Sequence, residues 1–154
     1  MLRRIISIAN NIQRTITLNH QQYELDEMRF FIRKKSYPQW LVYAINKNTK
    51  QVANFYIGRR SNKTLNAVVK TLLNAKAEKI YTDRLINYQY LIPKKIHTTK
   101  NTEQTESKDK TSILEPHLKR LNRRTIAFSR SCFILSSILK IYFWNRKNPF
   151  QIIK

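Results

Sequence analysis

Hydrophobic and polar positions in the first third of the chain follow the patterns of three consecutive strands. Residues 23–32 alternate with a period of two, and one side of that strand carries Glu24, Asp26, Met28 and Phe30. Residues 40–45 (WLVYAI) are apolar throughout, which is typical of a strand covered on both faces. Residues 46–50 (NKNTK) favour a turn before a third strand over residues 52–57. Short links between these strands predict an antiparallel meander.

A helix and a fourth strand follow the only glycine, Gly58. Ser61 or Asn62 can cap a helix whose apolar positions recur at helical spacing: Leu65, Val68, Val69, Leu72 and Leu73. The helix leads into a short strand at residues 79–82. A strand reached through a helix usually runs parallel to its neighbour, so we expect Asp83 at the carboxyl end of a parallel strand.

The flanking segments are less regular. Residues 84–93 (RLINYQYLIP) form a short helical or looped piece, and a brief fifth strand is expected at residues 95–98. Further along, one face of a predicted basic helix carries Leu114, Leu118 and Leu121. A last, apolar helix over residues 132–144 should pack on the sheet. We therefore divide the chain into a basic helix and linker (1–22) outside the compact part, a domain (23–146) and a basic tail (147–154).

The charge balance points to a polyanionic partner. The 154 residues contain 30 lysines and arginines against 9 acids, a formal charge of +21, while 42% of the residues are apolar. One domain of this size can build a core, and its basic surface suits nucleic acid, with binding that weakens steeply in salt. A single cysteine, Cys132, excludes an internal disulfide and a CxxC zinc site.

Membrane insertion is not expected. The most apolar run, residues 131–144, is interrupted by Lys140 and is shorter than the roughly 20 residues that a spanning helix needs. The amino end (MLRRIISIANNIQR) is basic and has no acid before Glu24, a composition that an exposed basic helix shares with organellar transit peptides.

The order of the elements places three acids at one edge of the predicted sheet. The predicted elements follow the order strand, strand, strand, helix, strand, helix, strand, helix. This is the order of the ribonuclease H-like α/β fold, a mixed five-stranded sheet with flanking helices. Its first and fourth strands are neighbours, so Asp26 and Asp83 should meet there, and a later helix can bring Glu106. Oxygen ligands of this kind suit Mg²⁺ or Mn²⁺, and clustered carboxylates repel unless a cation compensates them.

Several segments resemble the DDE-type transposases of the insertion-sequence-one family, in the catalytic portion made by the second reading frame. They are YELDEMRFFI (23–32), WLVYAINKNTKQVANFYIGRRSNKTLN (40–66), IYTDRLINYQYLIP (80–93), LKRLNRRTIAFSRS (118–131) and LKIYFW (139–144). The resemblance implies that Asp26, Asp83 and Glu106 are the catalytic and metal-binding triad; Glu103 and Asp109 are the alternatives to Glu106. It also implies metal-dependent DNA cleavage and strand transfer.

The same resemblance implies partners and a location. These are the element's terminal inverted repeats, target DNA, a second copy of the chain in a homodimer, and an upstream-frame product that recognises DNA, all in the bacterial cytoplasm at the nucleoid. The basic residues expected to hold the DNA backbone are Arg59, Arg60, Lys63, Lys119, Arg120, Arg123 and Arg124.

Two departures from the family pattern keep other functions open. No zinc-finger and helix-turn-helix region is recognisable, and the stretch after Glu106 is about two residues longer and contains Pro116. One alternative is therefore a truncated or inactive transposase that binds DNA. The other is a non-catalytic basic nucleic-acid-binding protein, such as an organellar ribosomal component, which would not account for acids on adjacent strands.

Overall fold

A five-stranded mixed sheet forms the centre of the protein. The computed structural model describes residues 2–31, 38–100 and 131–145. The strands are β1 (Gln22–Phe31), β2 (Pro38–Asn46), β3 (Val52–Gly58), β4 (Lys79–Thr82) and β5 (His97–Thr99). They lie in the order β3-β2-β1-β4-β5, with the β1–β2 and β2–β3 pairs antiparallel and the β1–β4 and β4–β5 pairs parallel. This topology confirms the meander, the crossover and the ribonuclease H-like fold.

Four helices flank the sheet within the described residues: α1 (Leu2–Asn11), α2 (Asn62–Asn74), α3 (Ile86–Leu91) and α4 (Cys132–Trp144). Ser61 caps α2, since its hydroxyl accepts a hydrogen bond from the Thr64 backbone N–H at 3.4 Å. Gly58 lies against the same turn, where an added Cβ would come within 2.8 Å of the Thr64 hydroxyl. A side chain at position 58, where the crossover begins, would therefore collide with the capped end of α2. No described helix has the length and apolar character needed to cross a membrane.

One face of the sheet packs against α2 and α3. Tyr23 and Leu25 of β1 join the buried side of α2 and Tyr88 of α3 in a single cluster. The apolar positions that predicted α2 supply this packing, since Leu65, Val68, Val69 and Leu72 are all buried.

The opposite face packs against α4. Phe30 of β1 clusters with Leu135 and Leu139 of α4, and the Trp144 indole N–H donates to the Val52 carbonyl at 2.8 Å. This packing confirms the expectation that the last apolar helix covers the sheet. Since Phe30 and Met28 belong to this cluster while Tyr23 and Leu25 belong to the other, the predicted period-two alternation of β1 is also confirmed.

Helix α1 lies against α4. Ala9 is fully buried there, Ile5 and Ile6 are half-buried, and Ile12 packs on the α4 side of the core. The expectation that residues 1–22 lie outside the compact part is therefore wrong for the helix. The physical reason is its apolar side, which recurs at helical spacing and is covered by α4.

Candidate active site

Asp26 and Asp83 have the same sequence offset as the paired residues of the parallel strands β1 and β4. The paired residues are Gln22 with Lys79, Tyr23 with Ile80, and Glu24 with Tyr81. Every pair differs by 57 in number (79 − 22), and so do Asp26 and Asp83 (83 − 26). In-register residues of neighbouring strands lie about 5 Å apart along the sheet and point to the same face. The paired residues end at Glu24 and Tyr81, and the same offset continued for two residues matches Asp83, which follows β4, with Asp26.

The Asp26 carboxylate is held by hydrogen bonds but lacks a cationic partner among the described side chains. The Glu27 backbone N–H donates to Oδ1 at 2.8 Å, and the Tyr43 hydroxyl of the paired strand donates to Oδ2 at 3.2 Å. Burial raises the pKa of Asp26, against the lowering effects of the Glu27 N–H, the Lys100 charge and the Tyr43 hydroxyl. A desolvated carboxylate of this kind gains from a bound cation.

Asp83 is exposed and begins the turn into α3. Its Oδ1 accepts the Leu85 backbone N–H at 3.1 Å, and its own carbonyl accepts the Thr82 hydroxyl at 2.9 Å. These contacts fix the turn at the carboxyl end of β4 and leave the carboxylate open to solvent. The ion pairs seen within residues 2–31, 38–100 and 131–145 involve Glu24 and Glu27, and neither aspartate takes part in one.

Glu27, the neighbour of Asp26, lies on the other face in a closed network. Its carboxylate accepts the Arg60 Nε–H at 3.0 Å and the Tyr88 hydroxyl at 2.9 Å, and its side chain is only 3% exposed. The Arg60 guanidinium also stacks over the Trp40 ring, with its Cζ atom 4.4 Å from the ring centroid. Burial, and then the Glu27 charge, raise the pKa of Tyr88 far above its ordinary value, so the phenol is a permanent donor. Glu27 thus links β1 to the turn before α2 through Arg60 and to α3 through Tyr88.

Glu24 shares the face of Asp26 and is paired with Lys100. The Lys100 ammonium donates to Glu24 Oε1, and the Glu24 side chain is 11% exposed. Glu24 and Glu27 are therefore each paired with a basic side chain.

The remaining predicted residues divide between described and undescribed parts of the chain. Arg59, Arg60 and Lys63 are exposed around the start of α2. Glu106, its alternatives Glu103 and Asp109, and the basic residues Lys119, Arg120, Arg123 and Arg124 lie outside the described residues. Within the described part no three His, Cys, Asp or Glu side chains gather as a metal site, so the triad stays a prediction.

Three contributors to this edge were missed from the sequence: Tyr43, Tyr88 and Lys100. Hairpin register could have found Tyr43, because β1 and β2 pair it directly with Asp26. Tyr88 and Lys100 had no local signal, since each reaches its glutamate across 61 or 76 residues of chain. His97 forms a hydrogen bond with the Thr82 hydroxyl at 2.7 Å, and burial lowers the pKa of its ring.

Comparison with known proteins decides the family. A family model described as IS1 transposase matches residues 21–149. The chain belongs to the IS1 transposase family. It is 32% identical over 118 residues to the insertion element iso-IS1n protein InsB of Shigella dysenteriae, covering 75% of this chain and 88% of that protein. It is 26% identical over 119 residues to the insertion element IS1 protein InsB of Shigella sonnei, and this match covers 77% of this chain and 91% of that protein.

Solved structures agree with the fold. A chain of the simian T-cell lymphotropic virus intasome, solved by cryo-electron microscopy with the PP2A regulatory subunit B56 gamma, is similar with a TM-score of 0.52 and 14% identity. The similarity covers 86% of this IS1-family chain and 51% of that chain. Family membership and the ribonuclease H-like topology together identify a DDE transposase catalytic domain, as the sequence predicted.

Proposed function

We propose that this domain cleaves DNA strands at the ends of an insertion sequence and joins them to target DNA. Asp26, Asp83 and Glu106 carry the reaction together with Mg²⁺ or Mn²⁺. The observation that supports this most is that Asp26 and Asp83 differ by the same offset of 57 as the paired residues of β1 and β4.

The described part of the site fits a hard divalent cation. Its donors are carboxylate oxygens, the ligand type that Mg²⁺ and Mn²⁺ prefer. Asp26 is largely desolvated and its pKa is raised mainly by burial, so its charge is poorly compensated by the protein. When bound, a pair of such ions activates a water or 3′ hydroxyl and stabilises the leaving oxygen.

The chain's own groups orient these carboxylates. The Glu27 N–H and the Tyr43 hydroxyl each hold one oxygen of Asp26, while the Leu85 N–H holds Asp83 Oδ1. Fixed carboxylates lose little freedom on binding a ligand. The predicted basic residues bind backbone phosphates around them: Arg59, Arg60, Lys63, Lys119, Arg120, Arg123 and Arg124.

The partners follow from this chemistry and from the family. They are the element's terminal inverted repeats and target DNA, with a homodimer bringing paired ends together. A separate upstream-frame product supplies specific recognition of the ends, and the complex acts in the bacterial cytoplasm at the nucleoid.

A nicking assay on supercoiled plasmid DNA tests the proposal. The purified protein should nick the plasmid with Mg²⁺ or Mn²⁺ and not with EDTA. The variant Asp26→Asn, Asp83→Asn should retain DNA binding and lose nicking. Nicking that survives in this double variant would reject the site, and metal-independent DNA binding without nicking would favour the non-catalytic alternative.

A further inference from the structure

Lys100 lies in the same row of the sheet as the two aspartates. Strands β4 and β5 pair Ile80 with His97 and Thr82 with Thr99, an offset of 17 (97 − 80). The same offset takes Asp83 to Lys100, whose backbone N–H donates to the Thr82 carbonyl at 2.8 Å. Successive residues alternate between faces, so Lys100 and Asp83 share a face. By the offsets of 57 and 17, Asp26, Asp83 and Lys100 correspond to one another across β1, β4 and the end of β5.

The Lys100 ammonium reaches back over this row to Glu24. Glu24 precedes Asp26 by two positions on the same face and is buried, while the Lys100 side chain is 35% exposed. A carboxylate buried beside another carboxylate is costly unless a cation pairs with it. Glu24 therefore holds the end of a long, flexible side chain at one place beside the aspartates.

Among the contacts of the described residues, this pair leaves Lys100 with unused hydrogen-bond donors. An ammonium group has three donors, and Glu24 Oε1 takes one of them. The group is also near enough to Asp26 for its charge to oppose the pKa increase that burial causes there.

Two aspartates at the reacting edge repel the DNA backbone, so a cation beside them has a clear electrostatic use. We propose that Lys100 binds a non-bridging oxygen of a DNA phosphate next to Asp26 and Asp83, and that Glu24 positions its ammonium group. This inference rests on the proposed function and adds a substrate contact to it. Lys100 is a phosphate-binding residue and Glu24 is a positioning residue.

Salt dependence of DNA binding measures the contact directly. The probe is a blunt duplex of random sequence in EDTA, titrated at a series of KCl concentrations. Each lost phosphate contact reduces the slope of log K against log salt by about 0.9, so Lys100→Gln should lower the slope by that amount and the affinity at 0.1 M salt by about tenfold. Lys100→Arg should keep the slope because it keeps the charge.

A matched control and the Glu24 variant separate binding from folding. Lys79 is exposed at the other end of β4, so Lys79→Gln should leave the slope unchanged. Glu24→Gln keeps the Lys100 charge but releases its ammonium from the fixed position, so the slope should stay while the affinity falls, and an unchanged affinity would reject the positioning role of Glu24. If Lys100→Gln leaves the slope at the wild-type value, Lys100 is only an internal partner of Glu24 and the inference is wrong.

A measurement on the wild-type protein covers the case in which a Lys100 variant does not fold. Lysines are modified by reductive methylation with and without the same duplex and then quantified by mass spectrometry. DNA should protect Lys100 several-fold and leave Lys79 unprotected. Equal modification of Lys100 in both samples would overturn the inference, even where Asp26-dependent nicking is intact. Loss of nicking dependence on Asp26 with Lys100 still protected would instead reject the proposed catalytic function.

Discussion

Asp26 and Glu27 are adjacent on β1, yet they belong to different environments on opposite faces of the sheet. Glu27 is closed in by the Arg60 Nε–H and the Tyr88 hydroxyl, and its side chain is 3% exposed. Asp26 accepts a backbone N–H and the Tyr43 hydroxyl, and it has no ion pair among the described residues. Among the described residues, Glu27 has a counter-charge and Asp26 does not.

The difference separates an acid that stabilises the fold from one that is available to a ligand. Burial of a paired and hydrogen-bonded carboxylate is tolerated, because the partners replace the lost water. Burial of Asp26 instead raises its pKa, so holding it ionised costs stability. A carboxylate that carries a cost of this kind is typical of a functional site.

The largest expected effect is on catalysis. Asp26→Asn should reduce metal-dependent nicking by about 10³-fold or more, because several kcal/mol of transition-state stabilisation depend on its charge. Glu27→Gln should reduce nicking far less, through folding alone. Plasmid nicking measured beside thermal unfolding checks both, and equal losses of nicking would remove the distinction between the two acids.

Stability should respond in the opposite order. Glu27→Ala removes the acceptor of the buried Tyr88 hydroxyl and should lower the free energy of unfolding by about 2 to 3 kcal/mol. Arg60 adds little to this loss because its side chain is 42% exposed and water replaces the pair. Urea unfolding checks the prediction, with the exposed Glu78→Ala as control, expected within about 0.5 kcal/mol of wild type. A Glu27→Ala variant as stable as this control would contradict the closed network.

A pair of tyrosine variants sharpens the comparison. The Tyr43 hydroxyl lowers the pKa of Asp26, so Tyr43→Phe should move the acid limb of the nicking rate to higher pH. Tyr88→Phe should leave that limb in place and lower the free energy of unfolding by about 1 kcal/mol. A pH–rate profile of nicking by each variant checks the prediction. A shift of the acid limb by Tyr88→Phe but not by Tyr43→Phe would show that Tyr88, not Tyr43, tunes the pKa of Asp26.

The smallest effect is a pH dependence of stability in metal-free buffer. The pKa of Asp26 is raised by burial above its ordinary 3.8, so the folded state binds this proton more tightly than the unfolded chain does. Ionised Asp26 therefore costs stability above its folded pKa, and the cost disappears as the pH falls through that value toward 3.8. Asp26→Asn should be more stable than wild type at pH 7, with the advantage shrinking toward pH 4. An advantage that grows on acidification would have the wrong sign.

Much of the fold is predictable here because local patterns agree with each other. The period-two alternation of β1, the apolar run of β2, the Ser61 cap and the helical spacing of α2 each point to the element that forms. The crossover rule then makes β4 parallel to β1, and the register of the two strands agrees with it.

Contacts over long stretches of chain are not predictable in this way. Alternation tells which side of β1 carries Glu27, but its burial depends on Arg60 and Tyr88, which lie 33 and 61 residues away. In the same way an amphipathic pattern predicts α1 but does not say that α4 covers it. Lys100 is one of 30 basic residues, and only the register of β5 distinguishes it.

The central claim is that Asp26 and Asp83 share a divalent cation. A crystal structure of the protein soaked with Mn²⁺, with anomalous scattering collected at the manganese edge, tests it most directly. We predict an anomalous peak bound by an oxygen of each aspartate at about 2.1 to 2.2 Å. A fully occupied peak elsewhere, with the two carboxylates too far apart to contact one ion, would contradict the account.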